Sequence, residues 1–173
     1  MGCFNSCCKP HSNALLFLGL CDSGKTTIAS YIEHSAFRVS HPTLGVQITN
    51  AVYQDQRVEI WDVSGRDVAY WSRYYSIASG IIFVIDGLNL NDLDLILQYM
   101  TQSLARPDVR HLPILIYCNK IWDSDPNNVK HIIEAKLELN NRGLNYQIQP
   151  CDPKIGKGVL EGFYWLMGQI PHP

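Results

Sequence analysis

The stretch Gly19-Leu20-Cys21-Asp22-Ser23-Gly24-Lys25-Thr26-Thr27 follows an apolar run at residues 14–18 and opens a helical pattern over residues 26–33. It fits G-x-x-x-x-G-K-[ST], in which glycines let backbone N–H groups surround phosphate oxygens. Lys25 would reach the terminal phosphates, and the Thr26 hydroxyl would ligate Mg²⁺. The start of the helix favours an anion. We therefore predict a phosphate-binding loop; the alternative is a glycine-rich turn without chemical meaning.

The composition limits the class of protein. A chain of 173 residues with a net charge of −2 is expected to form one domain and shows no basic footprint for nucleic acid. We expect no transmembrane segment and no secretory signal. The six cysteines are read as free thiols in a reducing compartment.

Strand and helix patterns alternate along the chain. Apolar runs at 14–18, 80–85 and 112–118 predict buried parallel strands, and 145–149 predicts a weaker one. Segments 46–53 and 58–63, joined by the four residues 54–57, predict a hairpin. Helices are predicted at 26–33, 91–104, 127–139 and 158–169. This order predicts an α/β fold with a six-stranded, mostly parallel sheet, one antiparallel edge strand and helices on both faces.

Three further segments stand where a Mg²⁺-nucleotide site requires them. Thr43, in the segment 42–45 before the hairpin, offers a second hydroxyl to Mg²⁺. Asp62, at the end of the second hairpin strand, would hold a Mg²⁺-bound water, and the Gly65 N–H would meet a γ-phosphate. Asn119 and Lys120 follow the strand at 112–118, where a base-recognition loop belongs. Each segment alone is also typical of an ordinary turn.

With these motifs the chain resembles the Arf/Arf-like family of small GTPases over nearly its whole length. The resemblance rests on residues 19–27, 42–45, 61–65, 71–75, 81–86 and 161–166. It implies a Ras-like domain with a P-loop at residues 14–173, preceded by an N-terminal tail at residues 1–13. Within the family, Ser64 and the segments 107–115, 152 and 155–158 are similar to the Arf-like member that recruits the BBSome coat to ciliary membranes.

The resemblance implies GTP or GDP and Mg²⁺ as ligands. Mg²⁺ would be held by Thr26, Thr43 and, through water, Asp62, while Lys25 would stabilise charge during phosphoryl transfer. The implied nucleotide-binding residues are Cys21, Asp22, Ser23, Gly24, Lys25, Thr26, Thr27, Thr43, Gly65, Asn119, Lys120, Asp123, Cys151 and Asp152. Trp61, Trp71 and Tyr74 are candidates for an aromatic effector surface or for the core.

Two departures from the family concern the second switch. Arg66 stands where the family has the Gln that orients the attacking water, and an Arg side chain has only hydrogen-bond donors. We therefore expect slow hydrolysis; the alternative is that Arg66 acts as an arginine finger in cis. The segment between Gly65 and Trp71 is also two residues shorter than the subfamily pattern.

Two more departures concern the base. The family's Asn-Lys-x-Asp reads as Asn119-Lys120-Ile121-Trp122-Asp123, so Asp123 reaches the base only if the loop accommodates one extra residue. Pro150, which has no N–H, falls where the family offers a backbone donor to the base, unless Cys151 or Asp152 replaces it. We expect weakened affinity and relaxed guanine preference.

The N-terminus Met1-Gly2-Cys3-Phe4-Asn5-Ser6 fits the myristoylation pattern, with Gly2 as acceptor and Cys3 beside it as a palmitoylation candidate. Two acyl chains would anchor the chain stably to a membrane. An unmodified tail, or a metal site formed with Cys7, Cys8 and His11, is the alternative.

The sequence thus predicts a monomeric, membrane-anchored Arf-like protein that recruits an effector or coat complex when GTP-loaded, with an exchange factor and a GTPase-activating protein as further partners. Its expected location is the cytoplasmic face of a membrane, at the base of a cilium or flagellum. The alternatives are a pseudo-GTPase scaffold with weak or fixed nucleotide binding and, more distantly, a nucleotide kinase.

Overall fold

The computed structural model describes residues 13–89, 92–121 and 126–171. These residues form six strands and four α-helices around one sheet. The strands are β1 (Asn13–Leu18), β2 (Val46–Tyr53), β3 (Gln56–Val63), β4 (Gly80–Asp86), β5 (Ile114–Asn119) and β6 (Tyr146–Cys151). The helices are α1 (Lys25–His34), α2 (Leu93–Leu104), α3 (Pro126–Leu137) and α4 (Val159–Gln169).

The sheet has the order β2-β3-β1-β4-β5-β6. All neighbouring strands are parallel except β2 and β3, so β2 is an antiparallel edge strand. The predicted fold class is therefore confirmed. Because the strands with parallel neighbours point the same way, β1, β3, β4 and β5 end at the same edge of the sheet, where ligands bind in folds of this kind.

The sheet separates two hydrophobic clusters, and successive residues of the central strands alternate between them. In β1, Leu16 and Leu18 belong to one cluster, while Leu15 and Phe17 belong to the other. The first cluster packs beneath α2 and α3, and the second beneath α1 and α4. Burial on both faces explains why these strands read as continuous apolar runs rather than as alternating patterns.

The hairpin is tighter than the sequence pattern predicts. Only Gln54 and Asp55 separate the two strands, because β3 begins at Gln56 and Tyr53 pairs with Gln56. Both turn residues have positive φ, 48° and 64°, as in a type I′ turn, whose twist matches that of the paired strands. The prediction of a four-residue connection was wrong. Two-residue turns with positive φ are usually recognised by a glycine, and neither Gln54 nor Asp55 is glycine.

Three short 3₁₀ helices were not predicted from the sequence: Val68–Arg73, Tyr75–Ile77 and Leu139–Asn141. The first two follow β3 and lead directly into β4. The predicted α-helices all exist, with ends at most two residues from those predicted; the predicted start at residue 91 lies outside the described residues. Within the described residues, no helix is long and apolar enough to cross a membrane.

Candidate functional site

The loop between β1 and α1 takes the conformation that its glycines require. Gly19 has φ 151° and Gly24 has φ 94°. A Cβ atom on Gly19 would stand 2.4 Å from the carbonyl oxygen of Val84, and one on Gly24 would stand 2.1 Å from Asn119 Nδ2. The loop therefore lies against the ends of β4 and β5, too close for any larger residue.

Lys25, the first residue of α1, is buried at 6% exposure beside this loop. Its ammonium group donates to the Leu20 carbonyl oxygen at 2.8 Å. Burial lowers the pKa of Lys25, and the neighbouring carboxylate of Asp62 opposes that shift. The ammonium is thus held inside the curve of the loop, where it would meet phosphate oxygens.

Three oxygen-bearing side chains from separate elements converge next to Lys25. Thr26 Oγ1 donates to Asp62 Oδ2 at 2.5 Å, and Thr43 Oγ1 donates to the same oxygen at 2.9 Å. The two hydroxyl oxygens lie 2.9 Å apart. Burial raises the pKa of Asp62, and the hydrogen bonds from both threonines oppose the rise.

This cluster fits a magnesium ion. Hydroxyl and carboxylate oxygens are the ligands that Mg²⁺ prefers. The second carboxylate oxygen, Asp62 Oδ1, is buried and has no hydrogen-bond partner in the described residues. A bound cation with its water would satisfy an oxygen of this kind, whereas an apolar neighbour would not.

A cavity of about 390 Å³ lies over the loop and the threonines. Ten residues that the sequence singles out line it together: Cys21, Asp22, Gly24, Lys25, Thr26, Thr27, Thr43, Gly65, Arg66 and Lys120. Gly65 reaches it by close approach, since a Cβ atom there would stand 2.4 Å from the Leu20 carbonyl carbon. Two predicted residues, Ser23 within the loop and Asn119 behind it, are buried and do not line the cavity.

Asn119 and Lys120 hold the phosphate loop from the far side. Asn119 Nδ2 donates to the Ser23 carbonyl oxygen at 2.8 Å. Lys120 Nζ donates to the Asp22 carbonyl oxygen at 2.6 Å and pairs with Asp86 Oδ2 at 2.7 Å. Lys120 itself has a positive φ of 67°, a strained conformation that these contacts retain.

The structure does not bring Cys151 and Asp152 onto the lining of the cavity. Cys151 is the buried last residue of β6, and its thiol lies 3.9 Å from Asn119 Oδ1. The Asp152 N–H donates to the Lys157 carbonyl oxygen at 2.9 Å. Asp152 therefore does not offer the free donor that would compensate for Pro150. Asp123, Trp122 and the lipidation candidates Gly2 and Cys3 lie outside the described residues.

The cavity also includes residues that the sequence did not single out. Ser40 and His41 line it ahead of the segment 42–45, and the hydroxyls of Ser40 and Thr27 lie 2.9 Å apart. No motif marks this loop, and only its position before Thr43 would have indicated it. Asp86, the partner of Lys120, was not singled out either, although its place as the polar last residue of an apolar strand would have indicated it.

Comparison with known proteins gives one consistent result. The sequence model of the ADP-ribosylation factor family matches residues 4–170. ADP-ribosylation factor-like protein 2 of Arabidopsis thaliana is 32% identical over 94% of this chain and 89% of its own length. ADP-ribosylation factor K of Dictyostelium discoideum is 27% identical, over 90% of this chain and 84% of its own.

Among solved structures, the Arl6 (BBS3) small GTPase of Trypanosoma brucei, with the bound nucleotide analogue GppNp, superposes with a TM-score of 0.79. The match covers 91% of this chain and 96% of that one at 24% identity. This likeness shows the small-GTPase fold.

Replacing Gly24 with alanine tests the close packing of the loop. Gly24→Ala would place Cβ on the Asn119 amide, whereas Gly45, which also has positive φ (73°), has no atom within 4 Å of such a Cβ. Both variants carry backbone strain, but only Gly24→Ala adds overpacking. We expect it to lower the free energy of unfolding by about 1–3 kcal/mol more than Gly45→Ala in urea titrations. Equal losses would contradict the packing described here.

Proposed function

The chain belongs to the ADP-ribosylation factor family of small GTPases, and on that premise we propose that it is a membrane-anchored, Arf-like GTP-binding protein that recruits an effector when GTP is bound. The observation that carries the proposal is the convergence of Lys25, Thr26 and Thr43 on one cavity, with the Asp62 carboxylate hydrogen-bonded to both threonine hydroxyls. A turn without chemical meaning would not gather an ammonium group and three oxygen ligands from three separate segments.

The phosphates are the part of the nucleotide that this site would bind most firmly. Lys25 and the backbone of residues 19–27 would hold them, with the Gly65 N–H facing the terminal phosphate. Mg²⁺, held by Thr26, Thr43 and Asp62, would neutralise charge that develops on the phosphate oxygens. Nothing in this set distinguishes guanine from adenine.

Recognition of the base would be weaker. Pro150 has no N–H, and the Asp152 N–H is already bonded to Lys157. Each buried polar group of guanine that loses its partner costs about 1–3 kcal/mol. We therefore propose micromolar affinity and a modest guanine preference.

Hydrolysis would be slow because Arg66 stands at the position where the family has the water-orienting Gln. Arg66 is exposed and lines the phosphate cavity, with its backbone N–H 3.3 Å from Ser64 Oγ. Its guanidinium group makes no hydrogen bond or ion pair with the described part of the chain. An Arg side chain only donates hydrogen bonds, so it cannot accept one from the water as Gln does.

The effector would bind over Trp61 and Tyr74, whose rings lie 6.1 Å apart and are partly buried against the first hydrophobic cluster. Trp71 does not belong to this surface, because only 1% of it is exposed and it packs on Phe83. The resemblance of residues 107–115 and 155–158 supports a coat complex at a cilium or flagellum base as the effector.

A pseudo-GTPase scaffold is the second candidate function. Two features favour it. The Asp152 N–H is already bonded and so does not help to retain the base, and the Arg66 side chain cannot orient the water that cleaves GTP. The two candidates differ in whether GTP is cleaved at all and in how firmly nucleotide is retained.

Calorimetry with GDP and ADP in the presence of Mg²⁺ tests nucleotide binding. We expect dissociation constants in the micromolar range, with GDP preferred by about tenfold or less. Pro150→Ala restores a backbone N–H and is expected to tighten GDP binding by about tenfold while leaving ADP binding unchanged. Nanomolar binding of GDP with exclusion of ADP by the wild type would refute the proposed weak base recognition, and no binding of either would refute the function.

Single-turnover cleavage of preloaded GTP tests the role of Arg66. Arg66→Gln restores a water acceptor and is expected to raise the rate by about 10- to 100-fold, the range that positioning errors cost. Arg73→Gln is the control, because it makes the same change in the same segment at an arginine whose guanidinium stacks on the Tyr70 ring, 4.1 Å from the ring centroid. A wild-type rate equal to or above that of Arg66→Gln would refute the proposed impairment by Arg66.

Acylation is tested by mass spectrometry of the protein expressed in eukaryotic cells and by fractionation of its membranes. We expect a myristoyl group on Gly2, a palmitoyl group on Cys3 and a pelleted protein. Gly2→Ala should release the protein to the supernatant. A wild-type protein that carries no lipid and stays in the supernatant would contradict membrane anchoring.

A further inference from the structure

Exposure sets the thiol of Cys21 apart from the other described cysteines. Cys21 lies in the phosphate loop and is exposed, whereas Cys118 in β5 and Cys151 in β6 are buried. Burial raises the pKa of the Cys118 thiol to about 12 and the pKa of the Cys151 thiol well above its ordinary value. Oxidants react with thiols that reach solvent and ionise. Within the described residues, Cys21 is therefore the cysteine that is open to oxidation.

A small cavity lies on the other side of the phosphate loop and shares Cys21 with the phosphate cavity. Its volume is about 10 Å³, which is room for a single water molecule. The loop forms one side of the small cavity, and residues of β4 and α2 form the other. Cys21 therefore stands between a space that suits phosphates and a space that suits one oxygen atom.

One polar atom of the small cavity has no partner. Ser23 lines the cavity at 2% exposure, and its Oγ makes no hydrogen bond within the described residues. The other polar side chains of the lining are engaged, Asp86 with Lys120 and Asn89 with Asp92. Because buried hydroxyls are nearly always hydrogen-bonded, an unpaired one points to a group that occupies the space in front of it. The Ser23 hydroxyl is placed to bond one oxygen atom.

The backbone on both sides of Cys21 is held in place. The carbonyl oxygen before it accepts a hydrogen bond from Lys25 Nζ at 2.8 Å, and the one after it accepts from Lys120 Nζ at 2.6 Å. A Cβ atom on Gly65 would stand 2.5 Å from the Cys21 nitrogen, so the start of the second switch also lies against this residue. A group added to the sulfur must therefore enter a space that already exists.

We propose that Cys21 is a site of reversible oxidation, at which hydrogen peroxide converts the thiol to a sulfenic acid whose oxygen occupies the small cavity beside Ser23. The Cys21 thiolate attacks one peroxide oxygen, so the S–O bond forms as the O–O bond breaks, and the departing hydroxide takes up a proton to become water. The sulfur is oxidised and the peroxide is reduced. The Ser23 hydroxyl donates a hydrogen bond to the transferred oxygen.

Two equivalents of a small thiol reverse the oxidation. The first condenses with the sulfenic acid to give a mixed disulfide and water, and the second releases the Cys21 thiol by exchange. The mixed disulfide is too large for the small cavity and extends into the phosphate cavity. Conversely, phosphates in that cavity cover the sulfur, so bound nucleotide protects Cys21 from peroxide, a consequence that rests on the proposed function.

The test is oxidation of the full-length, nucleotide-free protein by hydrogen peroxide in excess dimedone, which labels sulfenic acids, with tandem mass spectrometry to assign each adduct to a residue. We expect an adduct on Cys21 and none on Cys118 or Cys151. Ser23→Ala should lower the initial rate of adduct formation on Cys21 by about three- to tenfold, the effect of one lost hydrogen bond. Ser30→Ala, in α1 and outside both cavities, should react like the wild type.

Alkylation by iodoacetamide separates the role of Ser23 from a general change in the loop. The acetamide group does not fit the small cavity, so Ser23→Ala should be alkylated on Cys21 at the wild-type rate. The variant is expected to fold, because the Ser23 hydroxyl has no partner to lose. Three results would overturn the proposal: no adduct on Cys21 of the wild type, equal oxidation rates in wild type and Ser23→Ala, or equal losses in oxidation and alkylation.

A separate arm adds GDP and Mg²⁺ before the peroxide. We expect protection of Cys21 in the wild type. Labelling of Cys21 that GDP does not change would count against the proposed nucleotide site and leave the oxidation standing. Absence of labelling without nucleotide counts against the oxidation alone, so the two proposals fail separately.

Discussion

The hydrogen bond from Asn119 Nδ2 to the Ser23 carbonyl oxygen is the contact on which the site depends. Both residues are 2% exposed, so the bond is made away from water and leaves no alternative partner nearby. It fixes the phosphate loop, at the end of β1, to the end of β5, although 96 residues separate the two in sequence. Gly24 must lack a side chain because Asn119 occupies the adjacent space.

The fold was predictable because its main determinants are local. Continuous apolar runs marked the buried parallel strands, and the alternation of strands with helices marked the sheet that they form. The 3₁₀ helices at Val68–Arg73 and Tyr75–Ile77 were not predictable, since no period of apolar residues marks such short turns. Their shape is set by Trp71 and Tyr75, which are inserted into the core.

The site was predictable where a motif fixes backbone geometry and less so where tertiary contacts decide. The phosphate loop, Thr43 and Asp62 met as expected, because strand ends in one parallel sheet meet at one edge. The sequence left open whether Asp152 replaces the donor missing at Pro150. The answer depends on Lys157, whose carbonyl takes the Asp152 N–H in a bridge that no pattern indicates.

The proposed weak base recognition and the arginine at position 66 are connected through the rates of nucleotide release and hydrolysis. The proposed micromolar dissociation constant, combined with an association rate constant of about 10⁶ M⁻¹s⁻¹, implies dissociation at about 1 s⁻¹. Intrinsic hydrolysis in small GTPases is about 10⁻⁴–10⁻³ s⁻¹ even with the water-orienting Gln present. Nucleotide would therefore leave about a thousand to ten thousand times for each cleavage. In such a protein a Gln at position 66 would add little to switching, so that position is free to carry an arginine on the lining of the cavity. Control of the bound state would then lie with nucleotide concentration and with partners that change the release rate, not with hydrolysis.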